Sequence, residues 1–222
     1  ATAGLGAITG GSGGDPAQTA GSLAAPLSPA EQRLRQQSQA FQRTVWEGAL
    51  IGAGAGTLWG VIQGDKPKDV LTKALVGGAV GGLAGAYVAS KQKAFSSRED
   101  QLDAMIADVR KSNQETEELI TSVRQVIAED KKRLAAVNNR YRKGQATQVE
   151  VADARRRISD NQKVIAQAST GARGKQSMFQ GAERQFQQDN PGTDTGRMRR
   201  ELDAYGKKLK TLDGLAGSVA VA

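Results

Sequence analysis

Apolar residues recur along the second half of the chain in a strict four-three alternation. Positions 102, 106, 109, 113, 116, 120, 123, 127, 130, 134, 137 and 141 read Leu, Ile, Val, Asn, Thr, Ile, Val, Ile, Asp, Leu, Val and Tyr, nine of the twelve apolar. This spacing predicts a coiled-coil helix. After Lys143-Gly144-Gln145 the alternation restarts at Val151 and runs through Ala154, Ile158, Asn161, Ile165, Ala168, Ala172, Lys175, Phe179, Ala182 and Phe186. Two such helices joined by a short glycine turn predict an antiparallel hairpin. Pairing residues whose numbers sum to 291 or 292 stacks apolar on apolar, as in Tyr141 with Val151, Leu134 with Ile158 and Ile127 with Ile165. It also sets Asp130 opposite Asn161 and Thr116 opposite Lys175. Matched polar layers of this kind fix register. Asn113 against Phe179 is the mixed layer, and Gly171 and Gly174 are candidate bends. The many alanines leave a thin seam, which calls for a third helix or a neighbouring subunit.

Shorter stripes flank this hairpin. Ser28-Pro29-Ala30-Glu31 predicts a helix start, with Ser28 as cap, Pro29 in the first helical position and Glu31 closing a capping box. Leu34, Phe41 and Val45 follow on one stripe, interrupted by Ser38. Beyond the return helix, Asp189-Asn190-Pro191-Gly192 is a stop signal. Met198, Leu202, Tyr205, Leu209 and Leu212 then predict a last helix that covers the hairpin or pairs between subunits. Residues 1–27 are mostly small and polar, and predict a flexible tether.

Between tether and hairpin the pattern changes character. Gly48, Gly52, Gly56, Gly60 and Gly64 recur every fourth residue in an uncharged run of 17 residues. After the polar turn Asp65-Lys66-Pro67-Lys68-Asp69, a second uncharged run of 17 residues, 74–90, carries Gly77, Gly81 and Gly85, with Gly78 and Gly82 in the row beside them. Four-residue spacing puts small residues on one helix face and lets two backbones approach closely. An interior glycine costs a helix about 1 kcal/mol relative to alanine, so eleven glycines within 48–85 demand an offsetting contact. Each run is roughly 26 Å long as helix, at the short end of the ~17–25 residues that cross a bilayer. A thinner bacterial outer membrane suits that length. A soluble oligomer with the same close packing is the alternative.

The glycine series in WEGALIGAGAGTLWGVIQG and ALVGGAVGGLAGAYVA, residues 46–89, resembles the glycine-zipper two-transmembrane family, which includes SlyB-like outer-membrane lipoproteins. The resemblance implies an envelope protein that inserts a helical hairpin and packs laterally into multimers. Members of that family are often lipidated on an N-terminal cysteine, a residue type this chain lacks. The expected fold is therefore all-α. It comprises a tether over 1–27, a first helix and membrane-inserting glycine-zipper hairpin over 28–91, an antiparallel coiled-coil arm over 92–190, and a C-terminal helix and tail over 191–222.

Composition narrows the chemistry. The chain has no His and no Cys, which removes Ser-His and Cys-His nucleophile pairs, an imidazole base, and His or Cys metal ligation. Nine aromatic residues in 222 favour elongated helices over a broad core. Glu115, Glu117 and Glu118 read as a solvated face. The GARGK run at 171–175 lacks P-loop spacing, and the GAGAG run at 52–56 follows no strand. No enzyme activity, cofactor or metal is expected. The net charge is +8, of which +7 falls after residue 90. Acids interleave with the basic runs at 131–133, 155–157 and 199–200, and aromatics are few, which argues against specific nucleic-acid binding. Those runs read first as a solvated helix surface whose Arg stems shield the seam, and contact with acidic lipid headgroups or a cell-wall polymer is an addition to that reading. The expected protein is a structural element of a bacterial envelope, outer membrane favoured, with its arm in the periplasm. It anchors in lipid, homo-oligomerises, with a ring as one such assembly, and braces a larger envelope complex. A pore of helical hairpins and a soluble coiled-coil adaptor are the alternatives.

Overall fold

The computed structural model describes residues 25–52 and 80–219. Within them the chain is all-helical, without strands, and forms five helices: α1 (Pro29–Gly52), α2 (Val80–Ala94), α3 (Arg98–Arg142), α4 (Gln148–Asp189) and α5 (Gly196–Val219). The starts of three helices follow from local chemistry. Ser28 Oγ accepts from the Glu31 N–H at 3.2 Å while the Ser28 N–H donates to Glu31 Oε2 at 2.7 Å, so α1 opens on the capping box read from sequence. Ser97 caps α3, and Thr147 with Glu150 forms a second capping box at α4. The turn between α3 and α4 holds Gly144 at φ +69°, a left-handed conformation that suits glycine.

The antiparallel α3–α4 pair is the spine. α1 and α2 both run parallel to α4: Glu31 bonds Asn161, Ser38 bonds the Val164 carbonyl, and Phe41 abuts Gly171. Further along, Ala84 abuts Gly181 and Gln92 bonds Asp189. α5 runs parallel to α3, through Arg197 with Asp103, Arg110 with Glu201 and Lys208 with Glu117. Counted at the 3.5 residues per turn of a coiled coil, these α3 positions share one side of the helix, and Asp108, Gln125 and Glu129, which meet α2 and α1, lie roughly 100–155° around it. The molecule is thus layered, with α1 and α2 on one face of the spine and α5 on the other.

Its core has tiers. In one, Ala30, Leu34 and Phe41 of α1 meet Leu119, Val123, Ile165, Ala168, Tyr205 and Leu209. In the next, Ala84, Tyr87 and Val88 of α2 meet Met105, Val109, Phe179, Phe186, Met198 and Leu202. At the hairpin end, Val137, Val151 and Ala154 make a small cluster of α3 and α4 alone. The third helix that the thin seam called for is present on both faces. Its consequence is a second buried stripe on α3: Met105, Ser112, Leu119 and Val126 lie outside the four-three series and are buried beneath α1 and α2. Gly171 and Gly174 do not end or break α4, which is helical from Gln148 to Asp189. Gly171 instead seats Phe41, whose Cβ stands 3.1 Å from where a side chain would begin. Tyr141, expected opposite Val151, is half exposed. The Val45 side chain lies outside the described residues, as does the tether over 1–24.

Candidate functional site

The densest chemistry lies where α1 begins. Glu31 is fully buried. Arg157 grips its carboxylate with two nitrogens, Nε at 2.9 Å and Nη2 at 2.5 Å. Asn161 Nδ2 donates to Glu31 Oε1 at 2.8 Å and to Asp130 Oδ1 at 3.1 Å, while its Oδ1 accepts from Arg35. Arg133 completes the cluster, 2.5 Å from Asp130 and 3.5 Å from Glu31. Burial acts to raise the Glu31 pKa, but the Arg157 and Asn161 bonds and the Ser28 N–H outweigh it and bring the carboxyl down to about 2. At Asp130 burial prevails, and with the neighbouring Glu31 charge it holds that carboxyl above its ordinary range. Two carboxylates a few ångströms apart are thus pushed in opposite directions. Every carboxylate and amide oxygen of Glu31, Asp130 and Asn161 accepts from a protein donor, so the geometry of the cluster joins helices.

The polar layers of the hairpin can be placed one by one. Asp130 and Asn161 bond each other across α3 and α4. Thr116 and Lys175 are both buried, but the Thr116 hydroxyl donates to the Ser112 carbonyl at 2.7 Å. Lys175 Nζ instead reaches Glu115 at 2.9 Å and Ser112 at 3.5 Å, with the Phe41 ring centre 4.7 Å away. A cation over an aromatic face with one carboxylate partner is a satisfied burial. Asn113 turns to α5, where its Nδ2 donates to the Glu201 carbonyl at 3.0 Å.

The glycine series is only partly visible. Gly56, Gly60, Gly64, Gly77 and Gly78 lie outside the described residues. Gly48 and Gly52 sit in the last turns of α1, and Gly81, Gly82 and Gly85 in α2. A Cβ at Gly82 or Gly85 would meet nothing within 4 Å among the described residues, so neither is a point of close approach to them. The close approach comes from α4: a Cβ on Gly181 would stand 2.7 Å from that of Ala84.

Sequence reasoning found Glu31 as a cap and missed it as the centre of a buried ion cluster. Its partners on the spine, Arg133, Arg157 and Asn161, lie 102, 126 and 130 residues away, and no local signal points to them. Among the described residues no group of three or more acidic side chains is arranged to hold a metal ion. The chain matches no family model, no curated protein and no solved structure.

Proposed function

We propose that this is a non-enzymatic structural protein of a bacterial envelope, which attaches to lipid and to further copies of itself through the uncharged glycine series and holds the helical bundle as a stiff arm. One observation supports this reading above the others. α1 and α2 run the same way along α4, and continuing the α1 register brings its end level with Gly181, the residue that touches Ala84 of α2. The end of α1 at Gly52 and the start of α2 at Val80 therefore lie near one level of α4, an arrangement that suits an attachment on one side of a membrane. Gly82 and Gly85, which no described residue of the chain approaches, offer a face to a second copy. Ala84, Tyr87 and Val88 are committed to the protein core, so attachment falls to the residues before them.

That same commitment favours a second reading, a soluble helical adaptor. Among the described residues no helix is long and apolar enough to cross a membrane. Alkaline extraction of membranes, followed by native mass measurement in detergent, separates the two. The proposal expects the protein in the alkali-resistant pellet and a multimer in detergent. Release into the supernatant sinks the lipid attachment and leaves the adaptor. A detergent monomer sinks the assembly.

A further inference from the structure

Past the first turn of α1 and the end of α5, α3 and α4 run on as a ribbon of two helices, with no third helix beside them among the described residues. Its residues, 131–157, include nine Lys and Arg against two Asp and Glu, a net of +7 in a chain whose total is +8. The cations divide by surroundings. Arg133 and Arg157 face α1 and pair with buried Glu31. Arg140 and Arg156 pair with Glu150 and Asp153. Lys131, Lys132, Arg142, Lys143 and Arg155 are exposed and form no ion pair among the described residues. Lys131 and Arg155 edge a groove floored by Ile127, Leu134 and Ile158. At the outer end Tyr141 is 49% and Val149 67% exposed.

We propose that this end docks on an anionic lipid surface. Self-repulsion of so many cations opposes folding, and here the apolar cluster that resists it, Val137, Val151 and Ala154, is small. A surface that neutralises the charge removes the conflict. Lys and Arg attract anionic headgroups while laying their apolar stems along the interface, and a half-exposed tyrosine suits the headgroup layer. The shape fits lipid better than nucleic acid. Two helices side by side are about 20 Å across, wider than the ~12 Å major groove. One exposed tyrosine is no stacking platform for single strands. The inference does not rest on the glycine series, because the ribbon end lies roughly 50 Å along α4 from Gly181.

The absence of cysteine makes a local test simple. A Gln145→Cys variant of the full chain, labelled with an environment-sensitive dye, reports from the hairpin turn alone. The dye should shift to the blue on vesicles of phosphatidylcholine mixed with phosphatidylglycerol, and not on phosphatidylcholine alone. Added Arg142→Gln, Lys143→Gln and Arg155→Gln should weaken the response by roughly 100-fold, about fivefold per charge, with an unchanged melting temperature. Equal shifts on neutral vesicles, full binding by the triple variant, or a shift on duplex DNA without one on anionic vesicles each overturn the proposal. Alkali-resistant attachment with a silent dye defeats this inference alone. A responding dye on a protein that alkali releases defeats the glycine attachment alone.

Discussion

Glu31 and Asp130 share the amide of Asn161 yet hold their protons differently, and this difference makes the cluster testable. Removing the Glu31 charge leaves Arg157 half-buried without its fork and Arg133 without its second carboxylate. Breaking a buried pair from one side costs about 3–5 kcal/mol, so Glu31→Gln should lower the urea midpoint by that equivalent. Asp130 is ionised against the preference of its surroundings, and Asp130→Asn, which keeps an acceptor for Asn161, should stay within about 1 kcal/mol of the native chain. The pH dependence follows the same signs. Glu31 has a folded pKa of about 2 against an ordinary 4.5, so its contribution is complete above 4.5 and is lost as pH falls toward 2. Asp130, shifted upward, works the other way, and its protonation relieves a cost as pH falls. Denaturation across that acid range should be steeper in the native chain than in Glu31→Gln. At this scale the sequence is half legible: Ser28 and Glu31 announce a helix start four residues long, whereas Arg157 and Asn161 become neighbours only through the packing of α1 on α4.

Elements were more legible than residues, because heptad spacing carries its own geometry. The four-three stripes of α3, α4 and α5 are largely buried as read, since a helix must bury an apolar stripe against something. What the stripe does not say is how many partners cover it. Met105, Leu119 and Val126 had no reason to be counted in the seam until α1 and α2 were laid beside them. Asn113 looked misplaced opposite Phe179 because the reading paired α3 only with α4, whereas the partner is a carbonyl of α5. Glycine positions follow the same logic. On α4, Gly181 is where α2 comes closest, and Gly181→Leu should force the two helices apart at about 1–3 kcal/mol, visible as a lower melting temperature. On α2, Gly82 faces open space, so Gly82→Ala should stabilise the isolated chain by about 1 kcal/mol through helix propensity alone. If the glycine face is an interface between copies, the same substitution weakens the multimer in native mass spectra. A variant that melts higher and assembles unchanged removes Gly82 from any interface.

At the scale of the whole molecule, the division between a stiff part and an attaching part is a claim about which contacts are independent. α1 is tied to the spine by Glu31, Leu34, Ser38 and Phe41, and α2 by Ala84, Tyr87, Val88 and Lys91. Among the described residues, each helix is thus held to the spine by contacts of its own. The composition of that stretch was legible, and its role was read through resemblance. That α1 and α2 would lie in parallel on one helix was not legible, because nothing local distinguishes a parallel return from an antiparallel one. The arrangement permits a decisive replacement. Neighbouring helix axes lie about 8–10 Å apart, and a Gly/Ser linker of about eight residues reaches roughly 15 Å, enough to join the end of α1 to the start of α2. With residues 53–79 exchanged for such a linker, the bundle should keep its helical circular dichroism and its melting temperature within a few degrees. It should also appear in the supernatant after alkaline extraction. An unfolded product means that the stretch supports the bundle itself, and continued membrane retention moves the attachment to another part of the chain.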